Sequence, residues 1–283
     1  MRRPILLLAA LLALAVAAAP ASADTLLAPA PGAERLAAGG GYLVWSQPSE
    51  DTGWHLVVRR PDGTVVAPQV AGFTGPAVAS VGSTTFAFPR RTIAVYGRDD
   101  GDLYELDLAT LRESRVAKVS SSSYREHAPS VQYGRWVFVR SGGRRDGLYT
   151  WTGRGASRRL TSYEPAETAM SESRVSYPAT RTVVVRRLSG RGGALVFCSP
   201  AAGRPRSVVA TRYRTAWLAA DGAVFQTPRY AGSGGPYHPK APNRCPDLAA
   251  STSSIAFAGG ELGFALDGEG VRRLSRAPCH GQQ

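Results

Sequence analysis

Four carboxylates in loop-like segments are the candidates for acid–base chemistry in this chain. They are Asp99, Asp100, Glu164 and Glu167. Cleavage of a glycosidic bond needs two carboxylates that face each other across the sugar. Each of the four has Gly, Pro or Ser within a few residues, which is typical of a solvated loop acid, and nothing in their spacing marks a pair. These four residues are compatible with a carbohydrate-active enzyme, but they do not establish that function.

A long loop rich in proline and glycine carries the second candidate set, in which aromatic and basic side chains could hold a glycan or an anionic group. The predicted ligand-binding residues are Tyr230, Tyr237, His238, Lys240 and Arg244. Long loops in compact domains are often functional. The alternative is a Pro/Gly-rich loop without a binding role, which Cys245 anchors to the rest of the chain. Both interpretations stay open.

The cysteines and histidines lack the spacing of a metal site, since the chain has no CxxC and its four histidines are scattered. In an exported chain one disulfide is expected. We predict that Cys245 pairs with Cys279, because both lie in Pro-rich irregular segments. Cys198 lies in an apolar run and is predicted to be buried in a strand. We expect no metal and no cofactor, and we identify no catalytic residue.

One segment comes close to the Asp-box, a hairpin with the pattern S-x-D-x-G-x-x-[WF]. In "SEDTGWHL", Ser49, Asp51 and Gly53 fit the pattern and Leu56 does not. A single imperfect copy is more simply an ordinary hairpin loop. Signatures of a P-loop, an EF-hand, an HExxH zinc site and a serine-hydrolase elbow are absent from the sequence.

The first residues have the pattern of a secretory signal peptide. Met1 to Arg3 is basic, Ile5 to Ala19 is apolar, and Ala21-Ser22-Ala23 is a cleavage signal before Asp24. The apolar run is short for a bilayer, although a membrane anchor is the alternative. We predict a signal peptide over residues 1–23 and a mature domain over 24–283. The expected location is secreted or on the periplasmic or exterior side of the cell envelope, without a transmembrane anchor.

The formal net charge is +13 and comes almost entirely from arginine, since Lys118 and Lys240 are the only lysines. Such a composition is typical of GC-rich coding, so it does not indicate specific nucleic-acid binding. A basic surface nevertheless attracts anionic envelope polymers or lipid headgroups by general electrostatics. The expected partner is an envelope protein or an anionic polymer, and we expect the protein to be a monomer.

The elements that must position these residues are short strands separated by Gly, Pro, Asp and Ser. "PSVQYGRWVFVRSGGRRDGLY" (Pro129 to Tyr149) and the following "SRRLTS" predict about four strands in forty-odd residues. The same order recurs from Glu34, Pro76, Glu167 and Tyr213, and in a compressed form from Ser253. A period of about 40–50 residues is that of a β-propeller blade.

We therefore predict an all-β fold, a single β-propeller of four-stranded blades. Six blades are favoured, with the fifth distorted by the loop Arg229 to Pro246, and five blades are possible. The alternative architecture is a β-sandwich built from similar hairpins.

The central unit resembles the TolB-type propeller repeat. That repeat has a Pro-x-x-Ser element, a turn with glycine, a strand, a second glycine, Leu-Tyr and a closing Arg-x-Leu-Thr. The residues that occupy these places are Pro129, Ser130, Gly134, Arg135, Val137, Phe138, Gly147, Leu148, Tyr149, Arg159, Leu160 and Thr161. Ser130 departs from the family pattern because it follows Pro129 directly. Tyr133 stands where the family commonly has a turn Asp. The resemblance covers one unit well and implies an exported scaffold for protein interactions.

The function predicted from the sequence is an exported, non-catalytic propeller scaffold that binds a protein or a cell-envelope polymer. The alternative is a small secreted carbohydrate-active enzyme that uses loop carboxylates at the propeller mouth. A pair of carboxylates converging in one pocket would favour the enzyme. An apolar mouth, or one rich in Arg and Tyr, would favour the scaffold.

Overall fold

The part of the chain that the structure describes contains 24 β-strands and no helix. The structure is a computed structural model. It describes residues 24–51, 53–77, 79–85, 90–190, 193–198, 204–211, 214–227, 242–244, 248, 251–258 and 261–274. Nothing in this range is a helix long and apolar enough to cross a membrane.

The strands form six antiparallel sheets of four strands each, which are the blades of a propeller. Strand β1 (Thr25–Pro29) comes first in the chain but belongs to the last blade. Blade 1 consists of β2 (Glu34–Gly39), β3 (Tyr42–Ser49), β4 (Gly53–Arg59) and β5 (Val65–Val66). Blade 2 consists of β6 (Ser80–Ser83), β7 (Thr92–Gly97), β8 (Leu103–Asp107) and β9 (Glu113–Arg115).

The remaining blades follow in chain order. Blade 3 consists of β10 (Arg125–Gln132), β11 (Arg135–Ser141), β12 (Gly147–Trp151) and β13 (Arg158–Thr161). Blade 4 consists of β14 (Ala169–Ser171), β15 (Arg174–Pro178), β16 (Thr182–Arg187) and β17 (Leu195–Cys198). Blade 5 consists of β18 (Ser207–Ala210), β19 (Thr215–Leu218), β20 (Val224–Gln226) and β21 (Asn243–Arg244). Blade 6 consists of β22 (Ser254–Ala258), β23 (Glu261–Leu266) and β24 (Gly270–Arg273), and β1 completes it.

The first strand of each blade lines the central axis, and the inner strands give the ring two faces. We call the face where they begin the upper face; it carries Glu34, Ser80, Arg125, Ala169, Ser207 and Ser254. The face where they end is the lower face; it carries Gly39, Ser83, Gln132, Ser171, Ala210 and Ala258. Because successive strands are antiparallel, every turn of a blade can be assigned to one face from the strand order.

The ring is closed by β1, which pairs antiparallel with β24 as the outermost strand of blade 6. Thr25 lies opposite Arg273 and Pro29 lies opposite Gly270, with one irregularity between Leu26 and Ala28. The first and last strands of the described chain thus share a single blade. This joins blade 6 to blade 1 by main-chain hydrogen bonds as well as by packing.

Six hydrophobic clusters fill the ring, and each lies between two neighbouring blades. Members contributed by the two blades to each cluster, in order around the ring, are Trp45 and Leu266, Val44 and Tyr96, Ile93 and Trp136, Val137 and Met170, Phe197 and Trp217, and Leu218 and Ile255. A single blade could not bury both of its apolar faces, so each blade is stabilised by its two neighbours.

Buried hydroxyl groups connect the blades near the axis. Ser130 Oγ of blade 3 accepts a hydrogen bond from the Met170 N–H of blade 4 at 2.9 Å, and lies 3.3 Å from Ser80 Oγ of blade 2. Ser254 Oγ of blade 6 accepts from the Leu36 N–H of blade 1 at 3.0 Å. Ser176 Oγ and Thr215 Oγ1 lie 2.6 Å apart between blades 4 and 5. Small hydroxyl side chains thus satisfy main-chain groups at sites where the blades meet.

A buried ion pair supports blade 3. Glu126 is fully buried, and Arg140 Nε donates to its Oε1 at 3.0 Å. The same guanidinium donates to the main-chain oxygen of Val119 and lies over the rings of Phe138 and Tyr149. Arg140 is therefore part of the packed interior, and it does not contribute a free positive charge to the surface.

The structure confirms the predicted all-β propeller of six four-stranded blades. The predicted start of a unit at Tyr213 was wrong, because Ser207–Ala210, which precedes it, is already the inner strand of blade 5. Cys198 is exposed and not buried, since β17 is the outermost strand of blade 4. A four-residue apolar run does not distinguish an inner strand from an edge strand.

The structure explains why the repeat motif has glycine at position 147. Gly147 has φ 140° at the end of the β11–β12 hairpin, and a Cβ there would lie 2.1 Å from the main-chain oxygen of Thr161. Arg144 and Arg145 occupy this hairpin on the upper face and are exposed. The predicted turn is thus present, and its glycine allows β13 to approach β12 closely.

Replacement of Ser130 tests the contribution of the blade-connecting hydroxyls. Ser130→Ala leaves the buried Met170 N–H without its acceptor, so the free energy of unfolding should fall by about 1–3 kcal/mol. Urea denaturation measures the change, and Ser122→Ala in an exposed turn is the matched control. Equal stability of the two variants would contradict the role assigned to Ser130.

Asp267, in the turn between β23 and β24, makes the stability of the folded state depend on pH. Burial opposes ionisation of Asp267, but the Glu269 and Gly270 N–H groups and the Arg272 guanidinium outweigh it, so the net pKa is lowered. The carboxylate therefore stabilises the folded state above its unfolded pKa of about 3.9, and this stabilisation is lost as pH falls through the lower folded value.

We expect the stability advantage of the wild type over Asp267→Asn to be largest near pH 6 and to shrink as the pH approaches 3. Chemical denaturation at a series of pH values measures this difference. If the stability advantage of the wild type increased as the pH was lowered, the predicted direction of the Asp267 pKa shift would be wrong.

Candidate functional site

The central channel is the first of three cavities near the axis. Its volume is about 430 Å³, and small side chains and main-chain atoms of the inner strands line most of it. The inner strands of blades 2 and 3 approach each other closely in its wall, because a Cβ on Gly82 would lie 2.0 Å from the main-chain oxygen of Val131. Glycine is needed at this close approach.

Tyr133 and Arg90 border the channel at the lower face. Tyr133 forms the β10–β11 turn with Gly134, and both have positive φ, 51° and 72°. Such a two-residue turn favours Asn, Asp or Gly, so tyrosine is unusual in it. The Arg90 guanidinium lies 5.5 Å from the centre of the Tyr133 ring, which gives this end of the channel an aromatic and basic rim.

A second cavity, the upper pocket, opens at the upper face and has a volume of about 450 Å³. It is lined by Glu34, Arg35, Ala166, Glu167, Pro178, Arg204, Pro205, Arg206 and Ser253. Arg35 has φ 61° at an irregularity of the β2–β3 pairing between Glu34 and Ala37. Bulges of this kind change the direction of side chains, and here the Arg35 side chain of blade 1 reaches Glu167 in the connection between blades 3 and 4.

Glu167 separates the upper pocket from the channel, since it lines both cavities. Its Oε2 lies 3.2 Å from Arg35 Nη1, and its Oε1 accepts the Val208 N–H at 3.0 Å. Only 13% of its side-chain surface is exposed. Burial raises the pKa of Glu167, although the Val208 hydrogen bond and Arg35 act in the opposite direction. The interpretation of Glu167 as a solvated loop acid was therefore wrong.

The other three predicted carboxylates lie elsewhere on the upper face. Asp99 accepts hydrogen bonds from the N–H and hydroxyl of Thr74 at 2.7 and 3.1 Å. Asp100 accepts from the Asp102 N–H and from the Tyr104 hydroxyl. Glu164 is exposed. The four candidates are thus not brought together in one pocket.

The third cavity lies beside Asp99, between blades 2 and 3 at the upper face, and has a volume of about 400 Å³. Arg125 and His127 line it together with Phe73 and Thr74. Burial lowers the pKa of His127, and the nearby Arg125 lowers it further. A neutral imidazole is therefore favoured in this wall of the cavity.

Arginines are concentrated on the lower face. The described arginines in its turns and strand ends are Arg59, Arg60, Arg90, Arg91, Arg112, Arg135, Arg154, Arg158, Arg174, Arg187, Arg214 and Arg273. The described carboxylates in the equivalent positions are Asp24, Asp62, Asp107, Glu113, Glu172 and Glu261. Most other carboxylates of the described chain lie in upper-face turns, so the positive charge is greater on one side of the ring.

This charge distribution was missed at the sequence level. The composition shows the excess of arginine, but the face of each turn follows only from the strand order. The role of Arg35 was also missed, because no sequence motif surrounds it and it approaches Glu167 only when the ring is closed.

The predicted ligand-binding residues Tyr230, Tyr237, His238 and Lys240 lie outside the described residues, as do Cys245 and Cys279 of the predicted disulfide. Arg244 is in β21, where its main chain pairs with Phe225. Within the described range, no three His, Cys, Asp or Glu side chains are grouped so that they could hold a metal ion.

No protein-family model matches the chain, and no curated protein matches it. Among solved structures, it is similar to the computationally designed Ika8 protein, with 15% identity and a TM-score of 0.48 over 85% of this chain and 70% of the other. It is also similar to BamB from Moraxella catarrhalis, with 12% identity and a TM-score of 0.46 over 85% of this chain and 82% of the other. The assignment of six blades rests on the strand pairing described above.

The Glu167 site has a testable pH dependence. Because the pKa of Glu167 is raised in the folded state, the folded protein holds this proton more tightly than the unfolded chain, whose glutamates titrate near about 4.3. The contribution of Glu167 to stability is therefore greatest at low pH and declines as pH rises through the folded value.

Glu167→Gln removes this titration and keeps an acceptor for the Val208 N–H. We expect the stability of the wild type relative to Glu167→Gln to decline between pH 4 and pH 8 in denaturation experiments. Glu164→Gln, at an exposed position in the same connection, should show no such trend. A wild-type advantage that increases with pH would contradict the predicted sign.

Proposed function

We propose that the protein is an exported, non-catalytic scaffold that holds an anionic cell-envelope polymer against its lower face. The observation that carries this proposal is the excess of arginines in lower-face turns and strand ends, where twelve described arginines stand against six carboxylates. A face of one charge raises the local concentration of an oppositely charged chain and orients it. Arginine also pairs well with phosphate and carboxylate groups.

The lower face offers both exposed charges and an aromatic rim. Arg112, Arg154 and Arg187 are exposed there, and Tyr133 with Arg90 borders the channel opening. The segment with the predicted ligand-binding residues leaves β20 after Gln226 and enters β21 at Asn243, and both of these strand ends are on the same face. The proposed surface thus includes the ends of the loop to which the sequence pointed.

The carbohydrate-active enzyme is supported less well. Hydrolysis needs two carboxylates with free oxygens facing one sugar. Glu167 is bound by Arg35 and Val208, and Asp99 is bound by Thr74. The TolB-type resemblance and the signal peptide favour an exported interaction scaffold and are parts of the same proposal.

Charge reversal on the lower face tests the proposal. Binding of the purified protein to fluorescent poly(glycerol phosphate) should weaken about tenfold in the double variant Arg154→Glu/Arg187→Glu, because attraction becomes repulsion at two exposed positions. Binding should also weaken as salt is raised, since exposed charges are screened. Fluorescence anisotropy measures both effects, with dextran as the uncharged competitor.

The matched control is Arg144→Glu/Arg145→Glu, which makes the same change in net charge on the upper face. It should bind the polymer nearly as well as the wild type. Equal losses in the two double variants would mean that net charge and not the lower face governs binding. If the wild type released reducing sugars from envelope glycans, the proposed scaffold function would be rejected in favour of the carbohydrate-active enzyme.

A further inference from the structure

The upper pocket contains three arginines from two parts of the ring. Arg35 comes from the start of β2, and Arg204 and Arg206 come from the connection that precedes β18. Glu34 and Glu167 are the acidic residues of its lining. Because Glu167 is already bound by Arg35 and by the Val208 N–H, the pocket retains an excess of positive charge.

One donor in this lining is not satisfied. Arg35 Nη1 is directed to Glu167 and, at 3.5 Å, to the main-chain oxygen of Arg206. Arg35 Nε, in contrast, is buried and has no hydrogen-bond partner. A buried donor without an acceptor costs free energy. The Nε atoms of Arg59, Arg60 and Arg186 are also buried without a partner, so this atom alone does not mark a ligand.

The other two arginines are open to solvent. Arg204 and Arg206 are exposed, and in the described part of the chain no acceptor is bound to either guanidinium. Pro178, Pro205 and Ala166 provide apolar surface beside them. Six of the nine residues that line this cavity of about 450 Å³ are charged or polar, so a ligand there would be held chiefly by polar contacts.

We propose that the upper pocket binds a compact organic carboxylate, whose oxygens accept hydrogen bonds from Arg35, Arg204 and Arg206. The planar guanidinium donates two parallel hydrogen bonds to a carboxylate. A singly charged group suits the pocket better than a phosphate dianion, since Glu34 and Glu167 repel additional negative charge. The body of the ligand packs against Pro178 and Pro205.

Such a carboxylate can come from a free small acid or from the C-terminus of a peptide, and both present the same group to the arginines. The site is separate from the lower face. Binding here therefore does not depend on polymer binding there, and the two can be tested on the same protein.

Isothermal titration calorimetry with N-acetylalanine, its amide and inorganic phosphate tests the proposal. The wild type should bind N-acetylalanine at millimolar concentration, the amide not measurably and phosphate more weakly. A short peptide with a free C-terminus, compared with the same peptide amide, distinguishes the peptide source from the free acid. Binding of the amide as tightly as the acid, or of phosphate more tightly, would overturn the assignment.

Two variants locate the site. Arg204→Gln/Arg206→Gln should weaken N-acetylalanine binding about tenfold or more, because two charge-assisted hydrogen bonds are lost at exposed positions. Arg35→Lys keeps the charge but removes the planar guanidinium, and it should also weaken binding about tenfold. Unchanged affinity in the first variant would refute the site.

Arg144→Gln/Arg145→Gln is the matched control, with the same loss of charge on the same face, and it should bind as the wild type does. Thermal unfolding checks that each variant is folded. The Arg204→Gln/Arg206→Gln variant should also keep its affinity for poly(glycerol phosphate), which separates this site from the lower face.

Discussion

Closure of the ring by β1 and β24 is the contact on which the other blade interfaces depend. Each blade buries its two apolar faces against two neighbours, so a ring opened at blade 6 would expose the cluster around Trp45 and Leu266. The inner strands would also lose the geometry that brings Arg35 to Glu167. The upper pocket therefore exists only in the closed ring, since no single blade contains all the residues that line it.

The repeating part of the fold could be predicted from the sequence because it is local. Turn residues and short apolar runs mark the hairpins of blade 3, and Gly147 has the role that its motif suggests. The assignment of β1 to blade 6 could not be predicted, since Thr25 and Arg273 are far apart in the chain and neither segment has a distinctive pattern. Ser207–Ala210 was assigned to the wrong blade for a related reason: an inner strand and an edge strand of four residues look alike.

The candidate sites could be predicted less well, because burial and pairing are decided between blades. Glu126 and Glu167 look like loop acids in the sequence, yet one is buried beside Arg140 and the other is held between Arg35 and Val208. The excess of arginine was visible in the composition. Its concentration on one face was not, although the alternation of antiparallel strands gives the face of every turn once the strand order is known.

The position of β1 has a consequence for biosynthesis. Of the described strands, a ribosome makes β1 first and its partner β24 last, so β1 has no partner while blades 1 to 5 are translated. Until then, its edge and the exposed Leu26 are available to other chains. The time between synthesis of the two ends is therefore the period in which this propeller is most open to chaperones and to aggregation.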